Sequence, residues 1–293
     1  MKFWHAVAFL RTEQMIAVAK AADEGGYDAL ALSDHVFYAD QYSTPYPYSA
    51  DGRPFWNPST DWPDPWVTFG ALAAVTQRIR LATNVYIAPA RDLFTVAKLV
   101  STAAVLSGDR VVLGLGAGWC ADEFAQLGQD FSTRGRRLDE MIGALRALWA
   151  GGMVEWHEKF YDFGPLRISP VPAKPVPIHV GGDSEPALRR AAQLGDGWIG
   201  NRLYSEAEAD EVLARLRRHR EQAGRLDDDF EITIALGVAP DPSVYRRFED
   251  QGVTAVLCAP WMAPPENGHR YASKLEARIA AIEDFAEQVV QRL

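Results

Sequence analysis

The chain has little of what marks secreted, membrane or nucleic-acid-binding proteins. Its 293 residues include two cysteines, Cys120 and Cys258, too few for a disulfide framework. No apolar run approaches the roughly 20 residues of a membrane helix, and no signal-peptide pattern opens the chain. Positive charge is scarce. Thirty Lys and Arg stand against 39 Asp and Glu, a formal net charge of −9, whereas a nucleic-acid backbone calls for clustered cations. The six histidines (His5, His35, His157, His179, His219, His269) show neither HxH nor HExxH spacing. No strand-end carboxylate or lysine completes a bridged site, so no metal is expected. There is no GxSxG elbow, and Cys120 has no base in view that would make it a nucleophile. These absences predict a cytoplasmic protein acting on a small molecule, with no membrane or nucleic-acid partner. A second copy of the chain is the one protein partner left open.

What is present is an alternation of apolar runs and helical patterns. The runs at 3–9, 27–33, 80–88, 110–115, 176–181, 197–200, 230–237 and 253–258 read as strands. Between them lie helical stretches at 12–24, 92–106, 136–150, 184–194, 205–223 and 241–251, and a closing one at 274–293. Asp92 and Gly108 bracket the second helix, and Ser205 with Glu208 forms a capping box. Continuous rather than alternating apolar strands are expected where helices cover the outside of a sheet. Eight such strands with no low-complexity linker predict one α/β domain over 1–293, a (β/α)8 TIM barrel. A two-domain doubly wound protein is the alternative.

Two connections are too long to be plain turns. Residues 36–64 follow the second strand and hold Phe37, Tyr38, Tyr42, Tyr46, Tyr48, Phe55, Trp56 and Trp62. In a barrel this insertion leaves the C-terminal face, where barrel active sites sit, and so reads as a lid. An aromatic oligomer interface is the other reading. Residues 153–174, before the fifth strand, read as an extended insertion running into PVPAKPVP.

Candidate chemistry gathers at strand ends. Asp34-His35, at the end of the second strand, is a candidate proton-transfer or ligand-orienting pair, since imidazole exchanges protons near neutral pH. A histidine that merely hydrogen-bonds in the barrel mouth is the alternative. Gly114 to Trp119 (GLGAGW) lets backbone approach a planar or phosphorylated ligand, although it is not a full dinucleotide fingerprint. Gly181-Gly182-Asp183-Ser184 opens straight into a helix, whose free amides make an anion site; a simple N-cap is the alternative.

Taken in order, SDH (33–35), ATNVYIAP (82–89), RVVLGLGAGW (110–119) with DEF (122–124), FSTRGRRLDEMI (131–142) and VPIHVGG (176–182) with GDGW (195–198) carry a family likeness. The set resembles the luciferase-like monooxygenase superfamily, and most of all its coenzyme F420-dependent oxidoreductase branch. The resemblance implies a deazaflavin or flavin at the C-terminal mouth and hydride transfer between F420 C5 and an organic substrate. By the same resemblance His35 is the acid–base group. Asp34, Ala117, Gly118, Trp119 and Asp122 line the cofactor, and Asn84-Val85 backs its ring at a strand bulge, often through a cis peptide. Gly181, Gly182, Ser184 and Glu185 hold its phosphate and tail. Arg189, Arg190 and Arg202 are candidate donors to the anionic tail of F420, which FMN lacks. Trp119 stands where the sugar-phosphate dehydrogenases of the family carry a glutamate, which, with the aromatic insertion, points to an apolar or unsaturated substrate. An FMN-dependent monooxygenase and a non-catalytic flavin- or F420-binding protein are the alternatives.

Overall fold

The structure, a computed structural model, describes residues 1–262 and 274–293; His269 lies outside the described residues. Eight parallel strands close into a barrel: β1 (Lys2–Ala6), β2 (Ala29–Leu32), β3 (Arg80–Thr83), β4 (Val111–Leu115), β7 (Ile178–Gly181), β8 (Gly197–Tyr204), β9 (Glu231–Leu236) and β10 (Ala255–Cys258). They follow one another around the ring in chain order, and β10 pairs back onto β1 with Lys2 opposite Ala255. This is the (β/α)8 barrel that the alternation predicts. The helices α1 (Met15–Gly25), α2 (Pro65–Ala73), α3 (Leu93–Ser107), α5 (Arg134–Trp149), α6 (Glu185–Leu194), α7 (Glu206–Gln222), α8 (Pro242–Asp250) and α9 (Leu275–Gln288) cover its outside, while α4 (Ala121–Gln126) is a short turn at the mouth. Among the described residues no helix is long and apolar enough to cross a membrane.

The barrel interior is filled by unequal partners. Trp4 and Ile199 are fully buried among Ala29, Ala31, Ala82, Val112 and Ala255, whose small side chains leave room for the indole. Trp4 also stacks on His179, with ring centroids 5.7 Å apart. At the N-terminal strand ends Arg80 pairs with Asp28 and with Glu231 (2.9 Å), Lys2 reaches Glu231 (3.0 Å), and Trp4 Nε1 donates to Asp28 (3.0 Å). That network closes the lower end.

Several elements differ from the sequence reading. β1 stops at Ala6 rather than Phe9, because the chain turns and Phe9 takes a left-handed φ of +67°. β3 stops at Thr83, the chain bulges at Asn84-Val85, whose peptide is cis, and Tyr86 rejoins the sheet opposite Leu115. β8 runs four residues beyond Gly200, to Tyr204. α2 is an addition: Asp64 accepts from the Trp66 and Val67 amides (3.0 and 2.9 Å), and Pro65 sits at the first helical position. Within 153–174, where an extended segment is expected, β5 (Val154–His157) and β6 (Asp162–Leu166) form an antiparallel hairpin. The hairpin lies against α5. Glu140 accepts from the amides of Phe160 and Tyr161, and a Cβ on Gly143 would come within 2.9 Å of the Trp156 ring.

Candidate functional site

The C-terminal strand ends bring the expected residues to one mouth, with different pairings from those the sequence suggests. Asp34 and His35 are adjacent in the chain but do not pair, since consecutive residues leaving a strand point to opposite sides. Asp34 turns inward and is 5% exposed. Its carboxylate accepts two bonds from Arg91 (2.7 and 2.8 Å) and one from the Ile87 amide (3.0 Å). Burial pushes the carboxyl up from its ordinary range, and Arg91 with the Ile87 N–H opposes that shift.

His35 pairs instead with Glu123, a residue that the sequence reading passed over. The imidazole Nδ1 lies 3.1 Å from Glu123 Oε1, and the same oxygen accepts from the Val36 amide at 2.9 Å. Glu123 is buried in the first turn of α4, one residue beyond Asp122. The imidazole sits in an aromatic box, with ring centroids 4.9 Å from Trp62, 5.0 Å from Trp56 and 5.9 Å from Trp119.

The insertion forms the wall of this box. Tyr46 contacts Tyr48, Phe55, Trp56 and Trp119 edge-on at 5.1–5.8 Å, and Phe9 adds its ring from the β1 turn. Such contacts each add about 0.5–1.5 kcal/mol beyond area burial, which is why a loop of this length stays ordered. Polar anchors fasten it. Asp122 accepts from the Ser43 amide (2.9 Å) and hydroxyl (3.0 Å), Thr44 Oγ1 donates to Trp119 O (3.0 Å), and Asp61 accepts from Thr12. Asn201 Nδ2 donates to Tyr48 Oη across the mouth (2.9 Å). Asp122, expected at the cofactor, thus spends its carboxylate on the insertion.

An apolar floor lies between the ends of β3, β4 and β7. Val85 is half-buried there, and its methyls fill the space that side chains on its neighbours would take. A Cβ on Gly116 or on Gly181 would fall 2.5 Å from a Val85 methyl, and one on Gly118 would fall 2.7 Å from Ile87. Only glycine admits this floor. Ser33 Oγ donates to Asn84 O (2.9 Å), which ties the turn bearing His35 to the turn bearing Val85. Ala117 is partly buried against the main core.

At the edge of the floor Gly182 takes a φ of +111° and α6 begins, with no side-chain cap from Ser184. The Glu185 amide is therefore left without a side-chain cap, while Pro186, next in the turn, has no N–H to offer. The Glu185 carboxylate is drawn away by Arg215 (2.7 Å) and His219 (2.7 Å), so this residue offers a ligand its backbone N–H and not its side chain. Two of the three candidate tail donors are engaged elsewhere. Arg190 is buried against Asp139, and Arg202 pairs with Asp183 (3.1 Å) and Glu208 (3.0 Å), whereas Arg189 is exposed. The Cys120 thiol is buried and pushed up to about 11, so it is no nucleophile at neutral pH.

The family model described as luciferase-like monooxygenase matches residues 6–284. Uncharacterized protein Rv0940c of Mycobacterium tuberculosis is 34% identical over the whole of both chains. An F420-dependent glucose-6-phosphate dehydrogenase of Gordonia bronchialis is 27% identical, covering 95% of this chain and 78% of that one. Among solved structures, the monooxygenase RslO1 from Streptomyces bottropensis superposes with a TM-score of 0.73 at 19% identity, covering 100% of this chain and 99% of that one. A coenzyme F420-dependent tetrahydromethanopterin reductase from Methanopyrus kandleri gives 0.72 at 13% identity, covering 99% of both. At these identities the two structures speak for the fold alone.

Proposed function

The chain belongs to the luciferase-like monooxygenase family, and from that premise we propose that it is an F420-dependent oxidoreductase acting on an apolar or unsaturated organic substrate. The observation that carries the reading is the floor made by Val85, packed directly against Gly116 and Gly181, and by Ile87, packed against Gly118, lying between the α6 start and the turn that bears His35. A flat ring system fits against Val85, with its phosphate at the amides beyond Gly182. Bound F420 supplies hydride exchange at its C5.

The protein supplies the rest. Val85 and Ile87 support one ring face, and the amides of Asp183, Ser184 and Glu185 hold the phosphate. Arg91 keeps Asp34 from turning outward and fixes the Ile87 turn. The insertion, through Trp56, Trp62 and Trp119, shields the imidazole from water, and His35 exchanges the proton that accompanies the hydride. The aromatic box offers π faces and edges and few charges, which suits an apolar or unsaturated substrate over a phosphorylated sugar.

A second reading, an FMN-dependent monooxygenase, draws support from the engagement of Arg190 and Arg202, because a cofactor ending at its phosphate needs no cationic groove. Titration of the ligand-free protein against both cofactors separates the two. F420 is expected to bind at least tenfold more tightly, about 1.4 kcal/mol, with affinity that falls more steeply with salt. Equal or tighter FMN binding with a flat salt dependence overturns the F420 reading.

A further inference from the structure

Nothing so far explains why a carboxylate is buried behind the imidazole. Glu123 is an expensive residue to hide, and among the described residues the only hydrogen-bonding neighbours of its carboxylate are His35 Nδ1 and the Val36 amide, both on Oε1. The Val36 N–H fixes the position of Oε1. It is a donor on every protonation state of the protein, so it holds an acceptor oxygen at that position. An ionised carboxylate offers acceptors alone, so Oε1, held in place by the Val36 N–H, faces Nδ1 as an acceptor and Nδ1 carries the hydrogen. Nε2 has no hydrogen-bond partner among the described residues, on a side chain still 14% exposed at the mouth.

We infer that Glu123 is a positioning residue that fixes the tautomer of His35: Oε1, locked by the Val36 amide, takes the Nδ1–H, and Nε2 is the ring atom that exchanges protons with substrate. A buried carboxylate behind an imidazole does two things. It sets which nitrogen faces the reaction, and it stabilises the ring once Nε2 has taken up a proton. The inference rests on the reading of His35 as the proton-exchanging group, but its central statement concerns the ring alone. The step is a simple transfer. A proton passes from substrate oxygen, nitrogen or carbon to the Nε2 lone pair, or back, while Nδ1 keeps its hydrogen on Glu123.

Two substitutions separate geometry from charge. Glu123→Gln retains an oxygen that the Val36 N–H keeps in the Oε1 position, so both hydrogen bonds persist. Glu123→Ala removes the acceptor. The readout is long-range proton–nitrogen correlation NMR of ring-15N-histidine protein without cofactor, with the His35 signals assigned by their loss in His35→Asn. In the wild type and in Glu123→Gln the neutral ring is expected to carry its hydrogen on Nδ1. In Glu123→Ala it is expected to shift to Nε2–H or to a mixture. A wild-type ring bearing hydrogen on Nε2 overturns the inference without recourse to any variant, as does an unchanged Nδ1–H ring in Glu123→Ala. Failure of the functional reading shows up elsewhere, in the cofactor titration, with the ring-nitrogen result intact.

Discussion

The Arg91 guanidinium holds both oxygens of the Asp34 carboxylate, Nη1 to Oδ2 at 2.7 Å and Nη2 to Oδ1 at 2.8 Å, and lies over the Tyr86 ring at 4.4 Å. Both partners are largely shielded from water, so the pair matters less for its own attraction than for what its loss exposes. Arg91→Ala leaves a buried carboxylate without its cation and is expected to cost about 3–5 kcal/mol in urea unfolding. Arg91→Lys keeps the charge but not the fork and should recover part of that. A loss below 1 kcal/mol in Arg91→Ala would remove the pair from the framework of the site.

His35→Ala deletes the proton-exchanging ring while leaving the Val85 floor and the α6 start in place. Cofactor affinity should stay within a few-fold, and turnover should drop by roughly 10²–10⁴. Unchanged turnover on any accepted substrate would move the acid–base role elsewhere.

Asp122 offers a test of how the insertion is fastened. Asp122→Ala frees the Ser43 amide and hydroxyl, whose two bonds contribute locally rather than to the barrel core. Limited proteolysis within 43–53 is expected to speed up several-fold, with the melting temperature changing by only a few degrees. An unaltered cleavage rate would mean that the aromatic contacts alone secure the segment.

Two buried histidines make the fold sensitive to acid. His5 is fully buried with both ring nitrogens unpartnered, and burial lowers it to about 3; His179, packed under Trp4, is lowered to about 4 for the same reason. Unfolded, both would protonate near 6.5. Each therefore contributes stability above pH 6.5 that is lost as pH falls from there toward 4 for His179 and 3 for His5, at about 1.4 kcal/mol per pH unit. His5→Leu should flatten the acid side of the stability curve by one such increment. An identical slope in both proteins would show that the ring is not neutral in the folded state.

The barrel was legible because each strand is a short apolar run between breakers, and Asp92, Gly108 and the Ser205–Glu208 box mark their helices at the expected places. α2 carried a signal in Asp64-Pro65, hidden within an insertion read as a single loop. The hairpin was harder, since Val154 to His157 shows only half-buried and exposed positions, and its turn is held by Glu140 of α5 through the Phe160 and Tyr161 amides. For the site, strand-end positions revealed which residues meet but not how they pair. Asp34 next to His35 looked like a dyad; strand geometry sends them apart. The true partner of His35 is 88 residues away, and its trace in the sequence was the second acid of DEF, beside the one that was chosen.

The closed lower end has a consequence for traffic. Trp4, His179 and the Arg80 cluster fill the barrel below the mouth, so a ligand held at the mouth lies beside the insertion that carries Tyr46, Trp56 and Trp62. Under the proposed function the insertion would act as a turnstile: arrivals and departures would share one doorway, and the pace of exchange would follow how often those rings part.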